Sequence, residues 1–237
     1  GIPAMLNGTI NDLEKSMKVA KIDKSVMLPI ATKPSQTVKI NDWAASVQSN
    51  SIISFGSIHP KFENWKQEIQ RIKELGLKGV KFHPDYQDFF VDNEEMFPMY
   101  DMILNSGLVI IFHAGIDIGL SPPYHCMPSM LKKVIKQFKG GKIVAAHMCG
   151  YDCYYEVERH LLGEDIYFDT SYCISEIGEE KAARLIRGHG INKVLFGTDS
   201  PWKGQAEEVA LINKVGLDDS EKAALLGLNA CRLLGLD

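Results

Sequence analysis

A chain of 237 residues with 45% hydrophobic and 24% charged residues has the balance of an ordinary water-exposed globular fold. Its net charge of −4, with basic residues scattered along the sequence, provides no dense positive patch for nucleic acid. No apolar run is long enough for a bilayer span, and no basic-then-apolar leader opens the chain at Gly1.

Asn11–Ile22 reads as a helix. After it, short apolar, β-branched runs recur at 25–30, 51–58, 77–83, 108–113, 142–147, 165–170 and 193–198. Between them lie amphipathic stretches: 62–75, where Trp65, Ile69, Ile72 and Leu75 fall at helical spacing, then 94–105, 130–138, 179–187 and 205–215. Strands apolar on both faces belong to a parallel sheet buried under helices. Gly76, Gly107, Gly140 and Gly188 each follow a helical stretch and stand where a helix is expected to stop. The alternation predicts one α/β domain over residues 1–237, a (β/α)8 TIM barrel of about the usual size. An open doubly wound sheet is the competing architecture, but no G-x-G-x-x-G follows any of the runs. Seven strands are visible and a closed barrel has eight, so the first strand is expected upstream of Gly1 and the domain to be N-terminally incomplete.

In a parallel barrel the chemistry gathers where strands end. Lys81 and His83 close the third run, His113 the fourth and His147 the fifth, while Asp169 ends the sixth and Asp199 follows the seventh. By alternation His113 shares a face with Val109 and Ile111, and His147 with Ile143 and Ala145. Two histidines and an aspartate at equivalent strand ends are donors suited to zinc or another divalent ion. Lys81 is expected to pair with a carboxylate such as Asp169; a carbamylated lysine bridging two ions is the alternative. Tyr86, Tyr124, His125, Tyr151 and Trp202 lie in loops past strand ends, and His83, Tyr86 and Trp202 are taken as substrate-binding candidates. His59 is a weak site candidate, and His160 and His189 read as structural or surface residues. Five cysteines form no zinc-ribbon pattern, and reduced thiols with a cytoplasmic location are expected.

The motifs GVKFHP, IIFHAG, VAAHMCG, LFGTDSPW and, at Gly227–Leu236, GLNACRLLGL occur in an order that resembles the amidohydrolase superfamily. The resemblance is to the branch of aminocarboxymuconate-semialdehyde decarboxylase and related metal-dependent hydrolases, and it covers nearly the whole chain. It implies that His113 binds a divalent metal, most readily zinc, and that His147 acts on water or substrate. Asp199 is implied both to bind or adjoin the metal and to exchange a proton. The His-x-His pair with which that family begins is absent from this sequence, and is expected on the upstream strand. The implied function is metal-assisted hydrolysis of a small carbonyl compound. Non-oxidative decarboxylation of an unsaturated or aromatic carboxylate is the alternative, with Lys33 a candidate carboxylate clamp. A non-catalytic ligand-binding barrel that has lost its metal is the reading from another class. The partner expected is a small molecule, with neither nucleic acid nor membrane, and a homodimer is compatible with the branch.

Overall fold

The computed structural model describes residues 3–236. Seven parallel strands follow one another as the apolar runs predict: β1 (Ser25–Met27), β2 (Ile52–Ser54), β3 (Gly79–Phe82), β4 (Val109–Phe112), β5 (Ile143–Ala145), β6 (Tyr167–Asp169) and β7 (Val194–Leu195). β1 pairs with β2, and β3 to β7 pair in sequence order; a bridge between Gly56 and Val80 joins the two groups. This is the fold of a (β/α)8 barrel, with seven of its strands among the described residues. Sequential parallel neighbours need a crossover between them, and a helix lies between each successive pair of strands.

The helices that matter for the site are α1 (Ile10–Ala20), α2 (Thr37–Ser46), α3 (Trp65–Glu74), α4 (Phe97–Asn105), α5 (Pro128–Gln137), α6 (Tyr154–His160), α7 (Glu179–His189), α8 (Gln205–Lys214) and α9 (Asn229–Leu234). Gly76, Gly107 and Gly140 adopt the left-handed conformation expected of helix stops. Gly188 does not: α7 continues through it to His189, and Gly190 (φ 105°) ends the helix.

Strand alternation divides the interior in two. Val80, Phe82, Ile110, Phe112, Ile143, Ala145 and Phe168 face outward, into a main core with Ile72, Tyr100, Leu131, Val157 and Ile186 of the surrounding helices. Phe55, Val109, Ile111, Val144 and Leu195 face inward and meet Leu233 of α9, which closes the inner cluster. No β7–β1 ladder is present among the described residues. The ring is brought round there by α1 packing on α8 and by Gln205, whose amide donates to Ser25 Oγ at 3.1 Å. All five cysteines are free, and among the described residues no helix is long and apolar enough to cross a membrane.

Candidate active site

The inward face delivers Lys81 and His83 from β3, His113 from the end of β4 and Asp169 from β6, as period-two alternation requires. His147 is a correction to that rule. The face it was expected to share, that of Ile143 and Ala145, is the outer one. A left-handed turn re-aims it: His147 (φ 58°), Met148 (φ 54°) and Cys149 (φ 64°) follow β5 after the single extended residue Ala146. Left-handed backbone costs a non-glycine residue roughly 1–2 kcal/mol, and strain of this kind gathers at functional sites. Asp199 shares it, with φ 57°. Gly115 makes the meeting of the two loops possible. Its φ is 96°, and a Cβ there would come within 2.1 Å of the Tyr151 backbone nitrogen.

The result is a compact group of rings. His83 stacks on Tyr86 (centroids 3.8 Å, planes 7° apart) and on its other side on His113 (4.0 Å, 8°). His147 Nε2 lies 3.2 Å from His113 Nδ1, and its own Nδ1 lies 2.9 Å from the Ser171 carbonyl oxygen. Asp117 enters from the loop after β4. Its Oδ1 accepts from Gly119 N–H at 2.8 Å, and its Oδ2 stands 3.5 Å from His83 Nε2. Ligand-type atoms of His83, His113 and Asp117 all lie within 4.8 Å of one another. His113 Nε2 is buried and has no hydrogen-bond partner. A buried imidazole with an orphaned nitrogen, clustered with a second imidazole and a carboxylate, is the chemistry of a divalent-ion site, so these residues fit such an ion.

Electrostatics agree. Burial, reinforced by the neighbouring Lys81, holds His113 well below the ordinary histidine range and His83 down at about 2. Both are therefore neutral, the state in which imidazole binds a metal. Lys81 is buried inside the ring, and desolvation lowers its pKa while Asp169 and Asp199 oppose that shift. Burial raises the Asp199 carboxyl, against the Lys81 ammonium, which pulls it down. The pairing expected between Lys81 and Asp169 is thus one of proximity to two carboxylates.

Of the sequence candidates, His83, Tyr86, His113, His147 and Asp199 converge. Trp202 sits on the Asp199 loop, 42% exposed, its backbone N–H donating to the Asp199 carbonyl at 2.8 Å. Tyr151 meets His147 edge-on at 6.1 Å. His125 lies apart, its Nδ1 2.8 Å from Asp85 Oδ1, and Lys33 is exposed at the start of a short 3-10 turn. Asp117 and Ser171 are the residues that sequence reading passed over. Their signals are faint: an acid four residues past the site histidine in HAGID, and a serine two past Asp169 in DTS.

Similar architecture occurs in solved structures. 5-Carboxyvanillate decarboxylase from Sphingomonas paucimobilis aligns with a TM-score of 0.76 at 18% identity, over 98% of this chain and 85% of that one. 2,6-Dihydroxybenzoate decarboxylase from Rhizobium aligns with a TM-score of 0.78 at 15% identity, over 99% and 90%. A 5-carboxyvanillate decarboxylase from Novosphingobium aromaticivorans, solved with manganese and 3-methoxy-4-hydroxy-5-nitrobenzoic acid, gives 0.76 at 17% identity, over 94% and 80%. No curated protein matches the chain in sequence. The amidohydrolase family model matches residues 29–236, and with that match over most of its length the chain belongs to the amidohydrolase family of enzymes.

Proposed function

We propose that this enzyme hydrolyses a small, uncharged carbonyl compound at a divalent-metal site in the barrel mouth. The observation that carries the reading is the charge balance: Asp117, Asp169 and Asp199 surround the histidines, against the single ammonium of Lys81. Such a site attracts a divalent cation and, once the ion is in place, has little surplus positive charge for a substrate carboxylate.

His113 and Asp117 would hold the ion, with Asp199 as the further carboxylate. The group supplies Lewis acidity that polarises a carbonyl and makes water acidic near neutral pH. Asp199, desolvated so that its carboxyl binds a proton more readily than usual, is the acceptor for a proton leaving water. His83 is better suited to donate than to ligate. Its Nδ1 accepts from Tyr86 N–H at 3.4 Å, which leaves the ring proton on Nε2, toward Asp117. His147 stands behind His113. Tyr86, 46% exposed beyond the ring stack, and Trp202 offer apolar walls to a substrate. Imidazole with carboxylate suits zinc; manganese, present in two structural neighbours, is the rival ion.

Decarboxylation is the second reading, favoured by the activities named for the structural neighbours. The metal-loaded protein assayed in parallel against neutral esters, lactones and amides and against hydroxybenzoates separates the two. Hydrolysis without gas release supports the proposal, whereas carbon dioxide from an aromatic acid with no hydrolysis replaces it. Zinc and manganese loading, each verified by elemental analysis, identifies the ion.

A further inference from the structure

We propose that Asp169 and Ser171 form a positioning pair that sets, through His147, which nitrogen of His113 is free to bind an ion. The inference rests on reading His113 as a ligand and concerns what prepares it.

The hydrogen bonds fix the proton on His147 Nδ1. Asp169 Oδ1 accepts three: from the His147 backbone N–H at 3.0 Å, the Ser171 backbone N–H at 2.9 Å and the Ser171 hydroxyl at 2.5 Å. The hydroxyl proton is therefore committed to Asp169, and only lone pairs of Ser171 Oγ remain for the His147 Nδ1 that lies 3.1 Å away. The Ser171 carbonyl oxygen, 2.9 Å from the same nitrogen, can only accept. Facing two acceptors, His147 Nδ1 must carry the ring proton. With Nδ1 protonated, the single-proton form of the ring has a bare Nε2 that accepts, and it is this form that the pair favours.

The group it meets, 3.2 Å away, is His113 Nδ1, which is thereby the protonated nitrogen of His113. His113 Nε2 is left with a lone pair, and it is the buried nitrogen without a partner. The chain Asp169–Ser171–His147–His113 thus ends in a donor atom already in its metal-binding tautomer. Outer partners that fix a ligand's tautomer and ring orientation in this way typically affect metal affinity by about 10–100-fold. The pair is also tightly enclosed: a Cβ on Gly197 would stand 2.9 Å from Ser171 Cβ and 3.2 Å from Asp169 Cγ.

The test is a long-range 1H–15N correlation spectrum of metal-free, 15N-labelled protein, which reports the protonated nitrogen of each imidazole, followed by titration with Mn2+. Wild type should show both His147 and His113 protonated on Nδ1. Asp169→Ala should let the His113 proton exchange between nitrogens and weaken Mn2+ binding by about 10–100-fold. Asp169→Asn, which keeps an acceptor oxygen, should restore both. His147→Phe leaves Asp169 and Ser171 in place and should give the same tautomer averaging at His113; it serves if Asp169→Ala does not fold. A wild-type His113 protonated on Nε2, a doubly protonated His147, or unchanged spectra and affinity in these variants would overturn the proposal. Wild type that binds neither Mn2+ nor Zn2+ while showing the expected tautomers removes the metal reading and leaves the pair standing.

Discussion

His113 is the residue on which the site turns. Its Nδ1 is engaged by His147 and its Nε2 is the buried nitrogen with nothing to bind, 4.8 Å or less separating the ligand-type atoms around it. Replacing it with alanine removes an imidazole from that cluster and leaves the carboxylates of Asp117 and Asp199 to hold an ion with too few protein ligands. His113→Ala protein purified beside wild type should retain less than about a tenth of the metal, in line with loss of a first ligand exceeding the 10–100-fold effects of outer partners. An equal metal-to-protein ratio by elemental analysis would remove His113 from the ligand set. This residue was legible in the sequence because a strand-end histidine after IIF is the first polar group past a buried run. Asp117 was not. It lies four residues into a loop, where no periodicity operates, and it reaches the site through a turn in which Gly119 N–H binds its Oδ1. Ser171 was invisible for a different reason: a serine's role depends on where its one proton goes, which only the surrounding acceptors decide.

At the scale of elements, the seven strands were legible because each is apolar on both faces and bounded by a turn. α2 was not recognised. Its sequence TVKINDWAAS mixes β-branched, Asn and Asp residues that weaken local helix preference, and tertiary packing of Ala44 and Asn41 outweighs that preference. The face of His147 was misread because alternation holds only while the chain is extended, and three left-handed residues end the extension. The C-terminal motif carries a duty of its own. β7 has its outer edge served by the C-terminal segment: Phe196 N–H donates to the Leu225 carbonyl at 3.0 Å, and Asn229 donates to the Ile191 and Val194 carbonyls at 2.7 and 2.8 Å. Asn229 is 1% exposed and Val194 is fully buried, so the Val194 carbonyl has no water to turn to. Asn229→Ala should destabilise the fold by about 2 kcal/mol. Asn229→Asp should cost more, because it sets a carboxylate against two carbonyl oxygens. The midpoint of urea unfolding measures both, and a tolerated aspartate would show that the amide is not the edge's partner.

For the whole molecule, two buried groups pull stability in opposite directions with pH. His189, at the end of α7, has its Nδ1 accepting from Gly163 N–H at 3.2 Å and its Nε2 2.8 Å from the Ile166 carbonyl oxygen. Burial lowers its pKa to about 4. The unfolded chain binds its proton between about 6.5 and 4 and the folded chain does not, so stability is lost as pH falls through that window. Glu208, at the start of α8, is the reverse case. Its Oε2 is buried without a partner, and desolvation raises its pKa to about 7. The folded chain holds that proton between about 4.5 and 7, so stability is lost as pH rises. Over the shared range the two slopes oppose, and wild type conceals both. Glu208→Gln should therefore gain on wild type as pH rises from 4.5 to 7, then hold a constant advantage of about 1–2 kcal/mol. That figure is discounted from the full shift because Lys203 and partial solvent screening ease the carboxylate. His189→Gln, which keeps a donor and an acceptor, should gain on wild type in the other direction, as pH falls from 6.5 toward 4. Chemical denaturation at pH 4.5, 5.5, 6.5 and 8 resolves the difference curves. A variant offset that is the same at every pH would mean that neither group changes its proton binding on folding.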